Sequence, residues 1–224
     1  MKYKTCVSIA ENSSERIRQR LKEALKKSDY AEIRFDFLKI HEIPKTLEMI
    51  KKDLKSIVCT LRPKSEGGKF EGSEKERIAI LKLIAEYNPF LLDVEYNTIK
   101  KNKELAKYLK STETELLISW HDFKKTPKSS ELENMRRQMS KFANNVKIVT
   151  TAKSIDDSTR TLQLYNKNRK SNLIAFAMGD SGRISRILCL YLGSPYTYVS
   201  LGKPVAPGQF SVDEVKNILN LKTN

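Results

Sequence analysis

The chain is poor in the residues that staple small proteins or hold metals. It has three cysteines, Cys6, Cys59 and Cys189, and two histidines, His41 and His121, in 224 residues. No two cysteines form a C-x-x-C. Each lies in an apolar run and reads as a small buried side chain in a protein of a reducing compartment. The histidines lack H-x-H or H-x-x-H spacing, so no metal site is expected. No apolar run approaches the ~18 residues of a membrane span. The start, MKYKTCVSIAENSS, is too polar for a secretory leader. The expectation is a cytoplasmic protein with no membrane partner. Acidic side chains are also scarce: 27 Asp and Glu against 42 Lys and Arg leave a net charge of +15. That balance suits nucleic acid or a small anionic substrate. The basic residues are scattered along helical segments, with no Lys/Arg block, zinc-finger spacing or RNP-like motif. Nucleic acid is therefore not the expected partner. There is no G-x-S-x-G elbow, no P-loop and no G-x-G-x-x-G after the first strand, which argues against a serine hydrolase, a Walker-type NTPase and a dinucleotide-binding domain.

What the chain does have is a recurring apolar run. Eight occur: TCVSIA (5–10), YAEIRFDFL (30–38), SIVCTLR (56–62), PFLLDVEY (89–96), ELLISWHDF (115–123), NVKIVTTA (145–152), NLIAFAM (172–178) and YTYVSL (196–201). Charged segments with helical spacing separate them, such as SSERIRQRLKEALKKS, with Ile17, Leu21, Ala24 and Leu25 on one face. Ser73 with Glu76, and Ser211 with Glu214, read as capping boxes. Strict β–α alternation implies parallel strands joined by helical crossovers. Eight such units predict a closed (β/α)8 barrel, here shorter than the ~250 residues typical of that fold. A doubly wound sheet is the alternative. No linker or repeat divides residues 1–224, so one catalytic domain is expected.

Side chains alternate across a strand, and five of the eight runs carry ionisable residues on a single face. These are Glu32, Arg34 and Asp36; Arg62, beside Thr60; Asp93 and Glu95; His121, beside Ser119; and Lys147, with Val149 and Thr151. A parallel strand covered by helices normally reads apolar on both faces. In an alternating chain the helices take the outer face, so the polar face must look into the barrel, where buried charges need partners. Lys147 is then a lumen lysine and not an edge lysine in water. A lysine crowded by cations in a partly desolvated lumen loses its proton more readily and becomes a nucleophile toward a ketone or aldehyde. The resulting imine is an electron sink, and removal of the adjacent proton requires a base with an affinity near neutrality. His121, at a strand end in the same lumen, is the best candidate. His41 opens a polar helix-like segment and reads as a surface or capping residue. Neither metal nor cofactor is expected in this chemistry.

The stretches AEIRFDFL, TLRPKSEGGKF, LLDVEY, LLISWHDF, VKIVTTAKS, MGDSGRISR and GKPVAPGQ, in this order, make the whole chain resemble the type I 3-dehydroquinate dehydratases. The resemblance implies a (β/α)8 barrel, usually a homodimer, that acts on 3-dehydroquinate in the shikimate pathway without metal or cofactor. It also implies roles by position. Lys147 would form the imine with the substrate ketone, and His121 would take the proton from C2. Glu66, in SEGG, would orient and tune that histidine. The C1 hydroxyl then leaves as water, giving 3-dehydroshikimate. Arg186 would clamp the substrate carboxylate, as a bidentate guanidinium can. Glu32, Arg34 and Arg62 would hold ring hydroxyls and the local charge network, while Ser8 and Gln209 would add substrate contacts. From the residues alone, Glu32 and Arg34 could simply pair with each other, Arg186 could lie on a solvated helix face, and Gln209 could belong only to a capping turn.

Departures from the family pattern are Val205, where a serine or threonine commonly precedes APGQ, Trp120, which parity turns toward the helices, and Tyr198 in place of phenylalanine. Longer bacterial members plug the barrel bottom with an N-terminal extension. Here Met1 to Lys4 or bulky lumen residues must do so. The glycine-rich loop 63–76 is expected to be mobile and to order over substrate. A class I aldolase shares the barrel and a strand-six lysine, but for a sugar phosphate it would need a phosphate nest after strand seven. A basic nucleic-acid-binding module is the reading from another class, and it offers no reason for lumen carboxylates, lysine and histidine.

Overall fold

A computed structural model describes residues 3–167 and 171–220. The strands are β1 (Thr5–Ile9), β2 (Tyr30–Arg34), β3 (Ile57–Thr60), β4 (Leu91–Glu95), β5 (Leu116–His121), β6 (Asn145–Thr151), β7 (Asn172–Met178) and β8 (Thr197–Val199). Helices follow them: α1 (Ser14–Lys27), α2 (Glu42–Ile50), α3 (Glu74–Glu86), α4 (Tyr96–Lys101), α5 (Lys103–Lys110), α6 (Ser129–Met139), α7 (Ile155–Leu162), α8 (Ser185–Tyr191) and α9 (Val212–Leu219). All eight strands are parallel, in the order β7-β6-β5-β4-β3-β2-β1-β8. This is the expected (β/α)8 barrel with one difference: among the described residues no ladder joins β7 to β8. The last strand is only three residues long, against the six-residue run in the sequence. Beyond it, Ser200 bridges to Ser211 and not to β7. The barrel is therefore nearly closed.

The second apolar run also ends early. The strand stops at Arg34, and Phe35–Phe37 form a 3-10 turn. Arg34 folds back onto Asp36 through two bonds, Nε at 2.8 Å and Nη2 at 2.7 Å, and Asp36 also accepts from the Lys69 backbone N–H. That buried carboxylate ties the end of β2 to the loop after β3.

Strand parity decides where the core lies. Ile17, Leu21 and Ala24 of α1 are buried on the helix side, with Leu25 partly so, among the residues that fill the shell between sheet and helices. Trp120 packs in this shell, as its parity requires. Both capping boxes form, at Ser73–Glu76 and Ser211–Glu214. His41 precedes α2 without a side-chain capping bond and is exposed. A second apolar cluster sits inside the barrel and includes Cys6, Val58, Leu91, Leu117, Ile174 and Tyr196. Beneath it Tyr30 stacks on Phe90, with ring centroids 4.3 Å apart and planes within 3°, while Tyr196 tilts against Tyr30 at 5.5 Å. Bulky lumen residues thus floor the barrel, and Lys4 lies over the Tyr30 ring. Met1 and Lys2 lie outside the described residues.

Candidate active site

The polar lumen face emerges above this floor. Register sets its levels: Ser119 pairs with Lys147 and His121 with Val149, so Lys147 lies one pleat deeper than His121 on the neighbouring strand. A cavity of about 190 Å³ opens there. Its lining includes all nine residues to which the resemblance assigns a role, Ser8, Glu32, Arg34, Arg62, Glu66, His121, Lys147, Arg186 and Gln209, together with Val205 and Tyr198.

Lys147 is 5% exposed. Its Nζ lies 3.4 Å from Asp93 Oδ2 and 3.6 Å from Glu32 Oε1, and 4.1 Å from the centre of the Tyr198 ring. The expectation of a lysine crowded by cations is corrected here: its nearest charged neighbours are carboxylates. Parity brings acidic β2 and β4 side chains to its level, while Arg34 and Arg62 are already bound to carboxylates. Arg62 gives Nη2 to Asp93 at 2.7 Å and Nη1 to Glu95 at 2.8 Å and to Ser119 at 2.6 Å. Burial opposes its charge, but Asp93, Glu95 and Glu66 outweigh that and keep the guanidinium protonated. Asp93 is likewise penalised by burial, and Arg62 and Lys147 more than compensate, holding it ionised.

His121 Nδ1 stands 3.3 Å from Glu66 Oε2. Burial first, and then the charges of Arg62, Lys147 and Arg34, hold the imidazole well below its ordinary affinity. It is neutral at physiological pH. Glu66 moves the other way. Burial pushes its carboxyl up to about 7; Arg62 opposes the rise, and Glu95 and Asp93 support it. The two groups are pushed in opposite directions, so the carboxyl holds its proton more tightly than the imidazole. Glu66 lies on a 3-10 turn (Lys64–Glu66) closed by Gly67 at φ 75°. The loop is fixed by Gly68 N–H donating to the Pro63 carbonyl at 2.9 Å and by the bond from Lys69 to Asp36. Phe123 lies nearly parallel to His121, with centroids 5.9 Å apart.

Arg186 is 2% exposed and so does not lie on a solvated face. Its Nη2 donates to the Pro207 carbonyl at 3.0 Å, and the guanidinium lies 4.3 Å over the Phe176 ring. Its Nε has no hydrogen-bond partner among the described residues. Burial lowers its affinity to about 10. A buried guanidinium without a carboxylate awaits an anion. Glu32 accepts from Ser8 and from Thr60, each at 2.9 Å. Gln209 Nε2 donates to Ser8 at 3.4 Å, and Gln209 Oε1 accepts the Val205 backbone N–H at 2.9 Å. The backbone at Val205 is thus engaged by a side chain of the same loop. Arg34 is committed to Asp36, so the pairing of Glu32 with Arg34 open from sequence does not form among the described residues.

Sequence reasoning passed over Arg77, Phe123 and Asn97. Phe123 follows HD in a strand-end run and carried no periodic signal. Asn97, whose Nδ2 lies 3.5 Å from Glu66 Oε1, stands in the first turn of α4, a helix that the run PFLLDVEY did not announce. Arg77 sits in a charged helical segment, where an arginine reads as surface.

With this geometry in place, the comparisons are specific. The family model described as type I 3-dehydroquinase matches residues 5–224. The 3-dehydroquinate dehydratase of Methanococcus maripaludis (strain C6 / ATCC BAA-1332) is 39% identical over 217 residues, which span 95% of this chain and 96% of that one. The solved 3-dehydroquinate dehydratase of Geobacillus kaustophilus superposes with a TM-score of 0.90 over 99% of this chain and 91% of that one; at 24% identity this speaks for the fold. The type I enzyme of Clostridium difficile, solved with covalently modified comenic acid, gives 0.85 at 27% identity, covering 98% and 92%.

Proposed function

The chain belongs to the type I 3-dehydroquinase family, and on that premise we propose which of its residues carry the reaction. The reaction is the dehydration of 3-dehydroquinate to 3-dehydroshikimate through a lysine Schiff base. Lys147 is the nucleophile. Its amine adds to the C3 ketone, and loss of water gives the protonated imine. Asp93 and Glu32, within 3.6 Å, stabilise that cation, and His121 carries protons as the carbinolamine forms and collapses. The imine draws electrons from C2, and His121 takes the C2 proton; its Nδ1 faces Glu66, and its Nε2 makes no hydrogen bond among the described residues. The electron pair left at C2 expels the C1 hydroxyl, which leaves as water with the proton held by His121. Water then hydrolyses the conjugated imine and frees Lys147.

The unpaired guanidinium of Arg186 supports its assignment as the carboxylate clamp. Glu32, Ser8 and Gln209 form one hydrogen-bonded chain along the cavity wall, suited to ring hydroxyls, while Arg62 and Arg34 supply the positive wall. The observation that carries the reading is a buried lysine sharing one cavity with a neutral histidine backed by a carboxyl. A Schiff-base aldolase and a nucleic-acid-binding module are not favoured, because the family match spans residues 5–224.

We also propose a homodimer. The exposed side of α8 carries Leu188 and Tyr191, flanked by Ile184 and Leu192, an apolar stripe on a chain of otherwise heavy surface charge. The three cysteines are buried and unpaired, which agrees with work in a reducing cytoplasm. Among the described residues no helix is long and apolar enough to cross a membrane. The deciding experiment is a borohydride trap: the protein is incubated with 3-dehydroquinate and reduced, and its intact mass and modified peptide are read. The expected result is one adduct, at Lys147. A folded sample with neither adduct nor dehydroshikimate absorbance would sink the residue assignment.

A further inference from the structure

Arg77 is 1% exposed and belongs to α3, outside the barrel. It does not line the cavity. Its Nη1 donates to Glu95 Oε2 at 2.6 Å and to the Leu61 carbonyl at 3.3 Å. On its other side Nε and Nη2 grip Glu74, each at 2.8 Å, and Nη2 reaches Thr98. Glu95 therefore divides its two oxygens between two arginines, Oε2 to Arg77 and Oε1 to Arg62. Arg62 continues to Asp93, and Asp93 to Lys147. The result is a chain of alternating charge that runs from Glu74 at the surface to the nucleophile.

We propose that Arg77 is a positioning residue for the reaction: as a remote counterion it fixes Glu95, and through Glu95 and Arg62 it sets the charge felt by the His121–Glu66 pair. The buried acidic members of the network are Glu32, Asp93 and Glu95, and its cations are Arg62, Lys147 and Arg77. Without Arg77 the acids outnumber the bases, and Glu95 Oε2 is left in the interior without a partner. Arg62 would then serve Glu95 alone on that side and screen Glu66 less. The groups that face the pair are Arg34 from the end of β2, Arg62 after β3, Asp93 and Glu95 of β4, Asn97 of α4 and Lys147 of β6. All remain when Arg77 is replaced; only the balance changes. Burial raises the proton affinity of Glu95 itself, and Arg62 and Arg77 oppose that; while Glu95 stays ionised, weaker compensation of it strengthens the push that Glu95 and Asp93 exert on the Glu66 carboxyl against Arg62.

The test exploits the scarcity of histidine. The chain has only His41, which is exposed, and His121. In 15N-labelled protein the two ring signals can be followed against pH without substrate, with His41 as internal reference. In Arg77→Gln the His121 titration should move upward by roughly half a unit to one unit, Arg77→Lys should restore it, and the acid limb of kcat/KM should move in parallel. The kinetic arm rests on the dehydratase reading and the NMR arm does not, so failure of one is distinguishable from failure of the other. A folded Arg77→Gln whose His121 titration superimposes on the parent would overturn the inference and leave Arg77 a pin between α3 and β4. If that variant does not fold, Glu74→Gln, a change at the surface, decides instead. It frees Arg77 toward Glu95 and should move the His121 titration downward, and no movement overturns the proposal.

Discussion

His121 and Glu66 stand 3.3 Å apart, the imidazole's proton affinity depressed and the carboxyl's elevated. The linkage can be read in stability. Glu66 folded has an affinity of about 7, against an ordinary value of 4.5. Between those pH values the folded protein holds a proton that the unfolded chain has lost, so this group's contribution falls as pH rises from 4.5 to 7 and is constant above. The loss is on the order of 3 kcal/mol at 1.36 kcal/mol per unit. Glu66→Gln lacks that burden. Relative to the parent it should melt at a higher temperature at pH 8, with the advantage gone by pH 4, while kcat/KM falls by about 10- to 100-fold. Thermal unfolding at the two pH values checks this, and parallel curves would contradict it.

Arg186 should separate binding from folding. Its guanidinium is buried, and among the described residues its Nε is unpaired and its Nη2 bonds to the Pro207 carbonyl. Arg186→Leu removes an uncompensated charge, so the free protein should be as stable as the parent or more so. KM should rise by about 100-fold or more, with kcat changed far less. A large drop in melting temperature without substrate would show that the cation is structural.

Two adjacent glycines should behave differently. A Cβ at Gly68 would lie 1.9 Å from the Arg62 carbonyl oxygen, which is backbone. A Cβ at Gly67 would meet the Phe123 ring at 2.5 Å, and that ring is half exposed and can swing away. Gly68→Ala therefore has to displace the turn that carries Glu66, and should lower kcat/KM by about 100-fold. Gly67→Ala bears mainly the strain of φ 75°, on the order of 1 kcal/mol. Steady-state kinetics beside thermal melts would rank the two; equal losses of activity would contradict the argument.

The apolar stripe on α8 makes a prediction about mass. Leu188→Glu places a charge at its centre and should convert a dimer of the 25.8 kDa chain into monomer by sedimentation equilibrium, with kcat kept within a few-fold. A monomeric parent would refute the dimer at once.

Much of this site was legible because strands alternate. Glu32, Arg62, Asp93, His121 and Lys147 share a parity that only a lumen explains; the structure gathers four of them around one cavity and sets Asp93 against Arg62 and Lys147. Residues on helices and turns left no such trace. Arg186 and Arg77 are buried arginines in segments that read as amphipathic surface, because periodicity marks a helix face without saying what lies beneath it. The 3-10 turn at Phe35–Phe37 was hidden by its apolar alternation: the Arg34–Asp36 pair that bends the chain has the same spacing as two neighbours on one strand face. The surroundings of Lys147 were misjudged for a related reason. Composition counts more bases than acids, whereas register, and not composition, decides which charges meet.

Among the described residues the stacked Tyr30–Phe90 pair and Tyr196 floor the barrel, so on the proposed reading ligands use the opposite end. Substrate, product and the expelled water all pass the same rim, between the loop of Glu66 and the loop of Gln209. Departure must then precede the next arrival, and two ligands cannot queue through the tube. An inhibitor anchored on Lys147 has one direction in which to grow, outward past Phe123 and Val205, and whatever it gains in affinity there will come from the rim loops.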